Sequence, residues 1–378
     1  MADLSAAIPK ILSRGLVVLR QNVAAAQLVS RDFDDEAAQK GDTITVRKAD
    51  TVSTRSVSPS NTPPTTSGVD QVSSDIALNN WEEAPFKLTD KEIEEAEDGI
   101  VPDTIDEAVK ALAEQINSDV LDNYKHVYNT VGTAGATPFG SDYSEASAAR
   151  KTLNNESVPT ADRRVLIDPD AEENAINLSE FADASFTDDD SVIMEGEIGR
   201  KLGFDWAMDQ QVKTHTAGSI TNDPTVSGAH TAGATAVTLS TDADDEVHFN
   251  KGDLITFAGN SQVYAVREDL DLGNSASGDV KIEPDLQNDL SDGDAVSLNE
   301  TTDHAANLAF HRNFAALAIR PIQDGPTPGS IIRTMTDPVT GIPLRLEVQR
   351  QWKQTVWSFD VLYGTGPLQP RLAVRLKG

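Results

Sequence analysis

Cysteine is absent from the 378 residues, which excludes disulfides, thiolate metal sites and cysteine nucleophiles. Clustered basic charge is absent too. There are 31 Lys and Arg against 61 Asp and Glu, a formal net charge of −30, and the densest basic spot is Arg163-Arg164. A protein that grips a phosphate backbone needs clustered cations to displace counterions, so nucleic-acid affinity is not expected. The Arg163-Arg164 pair reads as two solvated charges flanking a strand, Val165 to Ile167. The acidic excess suits a surface working in saline surroundings, where salt damps the repulsion between carboxylates.

No stretch approaches the roughly 18 consecutive apolar residues of a membrane helix, so no membrane partner is expected. Gly15 to Leu19, followed by Ala24-Ala25-Ala26, comes nearest to a secretory signal, but the run is short and Arg20 interrupts it. It reads as an amphipathic helix. The sequons at Asn155, Asn177 and Asn299 are then chance matches.

Signatures of catalysis are missing as well. There is no G-x-S-x-G elbow, no G-x-G-x-x-G and no P-loop; Gly196, Gly199 and Gly203 have the wrong spacing. Asp269-Leu-Asp271-Leu-Gly273-Asn274 resembles the start of a calcium loop but lacks the distal bidentate Glu. His304 and His311, seven apart on an expected helix, have no third ligand in view and read as structural histidines. With 61 acids, carboxylate pairs arise by chance and single out no acid/base site. No catalytic residue, cofactor or metal is expected.

What is present is a sequence of contrasting textures. Leu4, Ile8, Ile11-Leu12, Leu16, Leu19 and Val23 recur at helical spacing, with Pro9 and Gly15 breaking continuity, and predict an arm over 1–34. From Thr43 the period becomes two, a Pro/Thr/Ser segment runs from Ser58 to Gly68, and a second extended run carries Val72, Ile76, Leu78 and Trp81 to Leu88. This predicts a projecting hairpin over 35–95. An isolated two-stranded ribbon is marginal in water, so it needs something to lie against, and another subunit is the expected partner. The tip residues Pro63, Pro64 and Thr65, with Trp81 on the second strand and Ile8 and Leu12 on the arm, are the expected inter-subunit contacts.

Thr104 to Glu107 has capping-box form, and Ile105, Val109, Leu112, Ile116, Val120, Tyr124 and Val127 then repeat at threes and fours until Gly132. A spine helix of roughly 40 Å is expected within 96–135. Residues 136–215 mix α and β: a helix from Ser144 to Leu153, a strand ending at Ile167, and a helix opened by Asp168-Pro169-Asp170. Over 216–303, short β runs separated by Gly/Asp/Asn turns predict a small inserted sandwich or barrel whose ends lie close together. After it, Ala305 to Ile319 reads as a helix, and 304–378 closes in β.

Three segments resemble the major capsid proteins of tailed bacteriophages, in particular the coat-protein group of the Salmonella podophages: Glu195 to Trp206, Asn307 to Pro321 and Leu362 to Arg375. The resemblance implies an α+β, Hong Kong 97-type capsid fold with N-terminal arm, extended loop, spine helix, axial domain (136–215 and part of 304–378) and an inserted β domain. It also implies a structural, non-enzymatic role. Copies of the chain would form the hexamers and pentamers of an icosahedral shell in the virion, assembled in the host cytoplasm with scaffolding protein and portal and, in some members, a decoration protein. Double-stranded DNA would be enclosed without specific binding, the acidic excess letting it pack without sticking. Two rivals share the composition: an acidic β-rich surface adhesin, which calls for a secretory signal, and a salt-adapted enzyme, which calls for a pocket of convergent titratable groups.

Overall fold

The structure is a computed structural model that describes residues 4–22, 25–31, 43–47, 73–92, 103–182, 196, 198–243, 245–322, 330–337 and 341–378. The helix Leu4–Asn22 is no detached arm: Ile8, Ile11, Leu12, Leu16 and Leu19 are buried in the main core. Their spacing puts them on one face, which lies against the long helix Asp103–Leu121. Gly15 permits the close approach, since a Cβ there would stand 3.2 Å from the Val109 side chain and 3.3 Å from that of Leu344. Arg14 Nη2 pairs with Asp106 Oδ2 at 2.6 Å along the same seam.

The long helix buries Ile105, Val109, Leu112, Ile116 and Val120, as its periodicity predicts. It stops at Leu121, roughly 28 Å from its start, well short of Gly132. A 3-10 turn, Asp122–His126, follows, and Val127 is already extended. The reason is local: the Asn123 amide donates to the Val120 carbonyl at 2.9 Å and to Thr365 Oγ1 at 2.8 Å, so a side chain takes a carbonyl at the helix end.

Two sheets share this core. A mixed seven-stranded sheet runs in the order Thr130–Gly132, Ala373–Lys377, His304–His311, Arg163–Ile167, Phe204–Met208 and Arg200–Lys201, with Thr214–His215 pairing the start of His304–His311. Ala305 to Ile319 is therefore not a helix. It forms two strands, His304–His311 and Ala315–Arg320, bent at a 3-10 turn over Arg312–Phe314. His304–His311 lies between two neighbours and is buried on both faces, so its apolar residues do not alternate and mimic a helical stripe. His304 and His311 stand at its opposite ends.

The second sheet is antiparallel. Gln354–Pro367 is flanked on one edge by Asn80–Thr89 and on the other by Pro343–Gln351 and Ala315–Arg320, with Ser330–Thr336 outermost. Phe86 stacks over Trp357 and Phe359 beneath the helices. The expected long hairpin is thus split: Ser73–Ala77 pairs with Thr43–Arg47, whereas Asn80–Thr89 leaves to join this sheet. The base of the ribbon packs Ile44, Val46 and Ile76 on Ala316, Ala318 and Leu368 of its own chain. Gly364 makes room, since a Cβ there would meet the Ala77 carbonyl at 2.3 Å.

Between His215 and His304 the chain forms a six-stranded and a three-stranded sheet, short strands joined by turns. They enclose a separate apolar core that includes Val237, Phe249, Ile255, Phe257, Tyr264 and Val280. Many turns are held by aspartates accepting backbone amides, among them Asp292 from Gly228, Asp289 from Ala232 and Asp269 from Lys251. Entry and exit lie side by side: His215 pairs with His304, and Asp303 Oδ1 accepts the Ala217 amide at 2.9 Å.

Candidate functional site

Among the described residues, several of the exposed large apolar side chains lie on the antiparallel sheet and its turns. Trp352 is 84% exposed in the tight turn between Pro343–Gln351 and Gln354–Pro367, with the Lys353 ammonium 4.7 Å from its ring centroid. A solvated tryptophan at a hairpin tip serves no core of its own chain. On the outermost strand, Ser330–Thr336, Ile331 and Met335 are exposed and line a groove with Ile8, Pro9 and Leu12 of the N-terminal helix.

Trp81 lies on Asn80–Thr89 and is 47% exposed. Its indole donates to Asp360 Oδ2 at 2.8 Å, and the Arg345 guanidinium sits 6.0 Å from its ring. Arg345 in turn clasps Asp360 with both forks, Nε to Oδ1 at 2.8 Å and Nη2 to Oδ2. The ring is therefore held in one pose on the sheet. Ile8 and Leu12, expected to contact a neighbour from an arm, are buried in their own chain and reach only the floor of the groove. Pro63, Pro64 and Thr65 lie outside the described residues.

A second constellation is fully internal and joins the sheets formed between His215 and His304 to the rest of the described chain. Arg375 of the last strand donates to the carbonyls of Gly252, Tyr124 and Val127 at 2.9, 3.0 and 3.2 Å. Glu300 lies 3.6 Å from Arg375 Nη1 and 3.2 Å from Lys377 Nζ. His215 bridges Tyr124 Oη at 3.1 Å and Asp253 Oδ1 at 2.8 Å. Burial holds the Arg375 guanidinium below its usual range and pushes the Tyr124 phenol up to about 12, partly opposed by Arg375. A carboxylate, an imidazole and a hydroxyl in line resemble a catalytic relay, yet Asp253, His215 and Tyr124 are all buried among the described residues. The arrangement is a fastening.

The Arg163-Arg164 pair is not a solvated flank. Arg163 is buried and donates to the carbonyls of Val158 and Pro159 at 2.6 and 2.8 Å, and Arg164 donates to the carbonyls of Gln27 and Leu28. Asp271, in the calcium-like stretch, pairs with His248 at 2.7 Å. Sequence reasoning passed over Trp352, Ile331 and Met335. Trp352-Lys353 was the available signal, a large aromatic where two alternating strands must turn.

A long helix laid on an antiparallel sheet, sharing its core with a mixed sheet flanked by helices, is an α+β architecture. No protein-family model matches the chain. No curated protein matches it either. Solved structures do. One from Mycobacterium phage Che8 is 13% identical, covers 94% of this chain and 90% of its own, and superposes with a TM-score of 0.51. The capsid structure of cyanophage P-SCSP1u is 12% identical over 93% of this chain and 86% of its own (TM-score 0.49), and a virus-like particle from Pyrococcus furiosus is 9% identical over 97% and 98% (TM-score 0.44). The chain has a Hong Kong 97-type fold, shared with the Che8 phage structure.

Proposed function

We propose that the chain is a major capsid protein that assembles into the icosahedral head of a tailed phage and encloses its double-stranded DNA. The observation that carries this reading is the likeness to the Che8 phage structure over nearly the whole of both chains. A fold shared end to end favours a shell subunit over an adhesin or an enzyme built on part of it. Hexamers and pentamers of this chain would form through repeated heterologous contacts closed by symmetry, with scaffolding protein and portal guiding assembly in the host cytoplasm and a decoration protein as a further partner. The DNA would be contained without specific binding, and the chain would catalyse nothing.

On this reading, residues 216–303 are an inserted domain and 35–95 an extended loop whose tip, Pro63 to Thr65, reaches a neighbour. Trp352, Ile331 and Met335 join Trp81 as the residues that meet other copies. The test is electron microscopy of the purified chain with and without added salt and scaffolding protein. Closed shells, tubes or rings of hexamer size are expected, forming more readily as salt screens the repulsion between copies of net charge −30. A particle that stays monomeric under every condition would overturn the proposal.

A further inference from the structure

Three of the six histidines, His126, His215 and His304, sit where the inserted sheets meet the body. His304 is buried at the start of the central body strand. Its Nδ1 faces the Thr302 carbonyl at 3.2 Å and so carries a proton there. Its Nε2 faces Glu300 Oε2 at 3.4 Å, and its ring meets that of His215 edge-on with centroids 5.3 Å apart. The Asp253 carboxylate, bound to His215, also accepts the Gly218 and Asn250 amides at 3.2 and 2.7 Å, shaping both the entry into the inserted sheets and their nearest turn.

The charges around His304 balance while its own ring is neutral. Arg375 and Lys377 supply two positive charges from the last strand; Glu300, just before His304, and Asp253, from the inserted sheet, supply two negative ones. The remaining neighbour, Tyr124 from the turn after the long helix, is a neutral phenol. Beside the hub on the same seam, Glu283 faces His126 at 2.9 Å and Arg267 at 3.5 Å, and Lys125 pairs with Asp122.

We propose that this hub is an acid-sensitive latch that fastens the inserted sheets to the body. A proton added to His304 leaves a buried cluster with one uncompensated positive charge, which is relieved only when the seam opens to water. Burial already lowers the affinity of His304 for that proton, with Arg375 and His215 acting in the same direction and Glu300 and the Thr302 carbonyl opposing. The closed seam thus binds the proton less readily than the open one. Its stability is complete above the ordinary histidine range near 6.5 and is lost as pH falls below it.

Hydrogen exchange of the full-length chain from pH 8 to pH 5, corrected for the intrinsic rate, tests this. Amides bound to the hub, Gly218 and Asn250, are expected to open up to about tenfold more per pH unit below 6.5. Amides in the inserted core, such as Val237 and Val280, should keep their protection. His304→Gln, which cannot titrate, should abolish the dependence. Lys377→Met, which removes one cation and makes room for a proton, should shrink it and keeps the test open if the first variant does not fold. Hub protection unchanged down to pH 5, hub and inserted core opening together, or a pH dependence untouched in both variants would each overturn the latch.

Discussion

Arg375 donates to the Gly252 carbonyl at 2.9 Å and so ties the strand Ala373–Lys377 to a turn of the sheets formed between His215 and His304. No solvent reaches the guanidinium, whose other hydrogen bonds hold the turn at the end of the long helix. Arg375→Met should leave three carbonyls without this donor and Glu300 with less charge compensation. A loss of about 3–5 kcal/mol is expected in denaturant titration. Arg350→Met, breaking an exposed pair with Asp90, should cost less than about 1 kcal/mol. Equal losses would contradict the assignment of Arg375 as the fastening.

Trp352→Glu should separate assembly from folding. The side chain packs on little but Lys353, so the denaturation midpoint of the isolated chain should shift by no more than about 0.5 kcal/mol. Shells counted by electron microscopy should fall sharply in number. Normal shell yield from this variant would remove Trp352 from the interface.

Gly364→Ala tests the seat of the ribbon. A methyl group 2.3 Å from the Ala77 carbonyl must push backbone away from backbone, with an expected cost of about 1–3 kcal/mol. Faster amide exchange at residues 73–77, with exchange at 80–89 unchanged, is the expected pattern.

His311 Nδ1 accepts the Asn313 amide at 3.2 Å, capping the 3-10 turn that bends the central strand. Burial lowers its proton affinity, with Arg312 adding to the effect and Asp162 opposing it. Protonation would set a donor against a donor, so this contribution is present above about pH 6.5 and lost on acidification. His311→Asn keeps a capping acceptor that does not titrate. It should reduce the pH dependence of stability below 6.5 by the His311 share, read by urea unfolding at a series of pH values, without altering hub exchange.

At the alkaline end, burial raises the phenols of Tyr124, Tyr128 and Tyr363. Tyr363 is raised further by its 2.5 Å hydrogen bond to Asp119. Unfolded tyrosines ionise near 10 and these do not, so stability should fall by about 1.4 kcal/mol per pH unit for each above pH 10. Ultraviolet titration at 295 nm should show the three ionising late, Tyr124 near 12.

Where one face of an element is buried and the other wet, its residues announce it. Ile105, Val109, Leu112, Ile116 and Val120 mark the long helix, and Asp168-Pro169-Asp170 places the start of a helix at Pro169, although the Asp168 side chain makes no capping bond there. Short β runs with Asp-rich turns likewise foretold the strands between His215 and His304. His304–His311 defeated the same logic because both of its faces are buried, which erases the period. The N-terminal helix was read correctly as amphipathic but assigned no cover, since nothing local says that its apolar face meets Val109 and Leu344.

The sequence by itself determined the long helix, the strand-rich middle and the absence of thiol chemistry, because each depends on residue type or on spacing within one element. Only the tertiary structure decided that Trp352 is solvated at a hairpin tip and that Arg163 is buried. It alone brought Tyr124, His215, Asp253, Glu300, His304 and Arg375 into one core. Those six residues span some 250 positions of chain. Their charges are neighbours only because the pairing of Thr214–His215 with His304–Ala305 brings distant stretches of chain together, and spacing along the sequence holds no record of that closure.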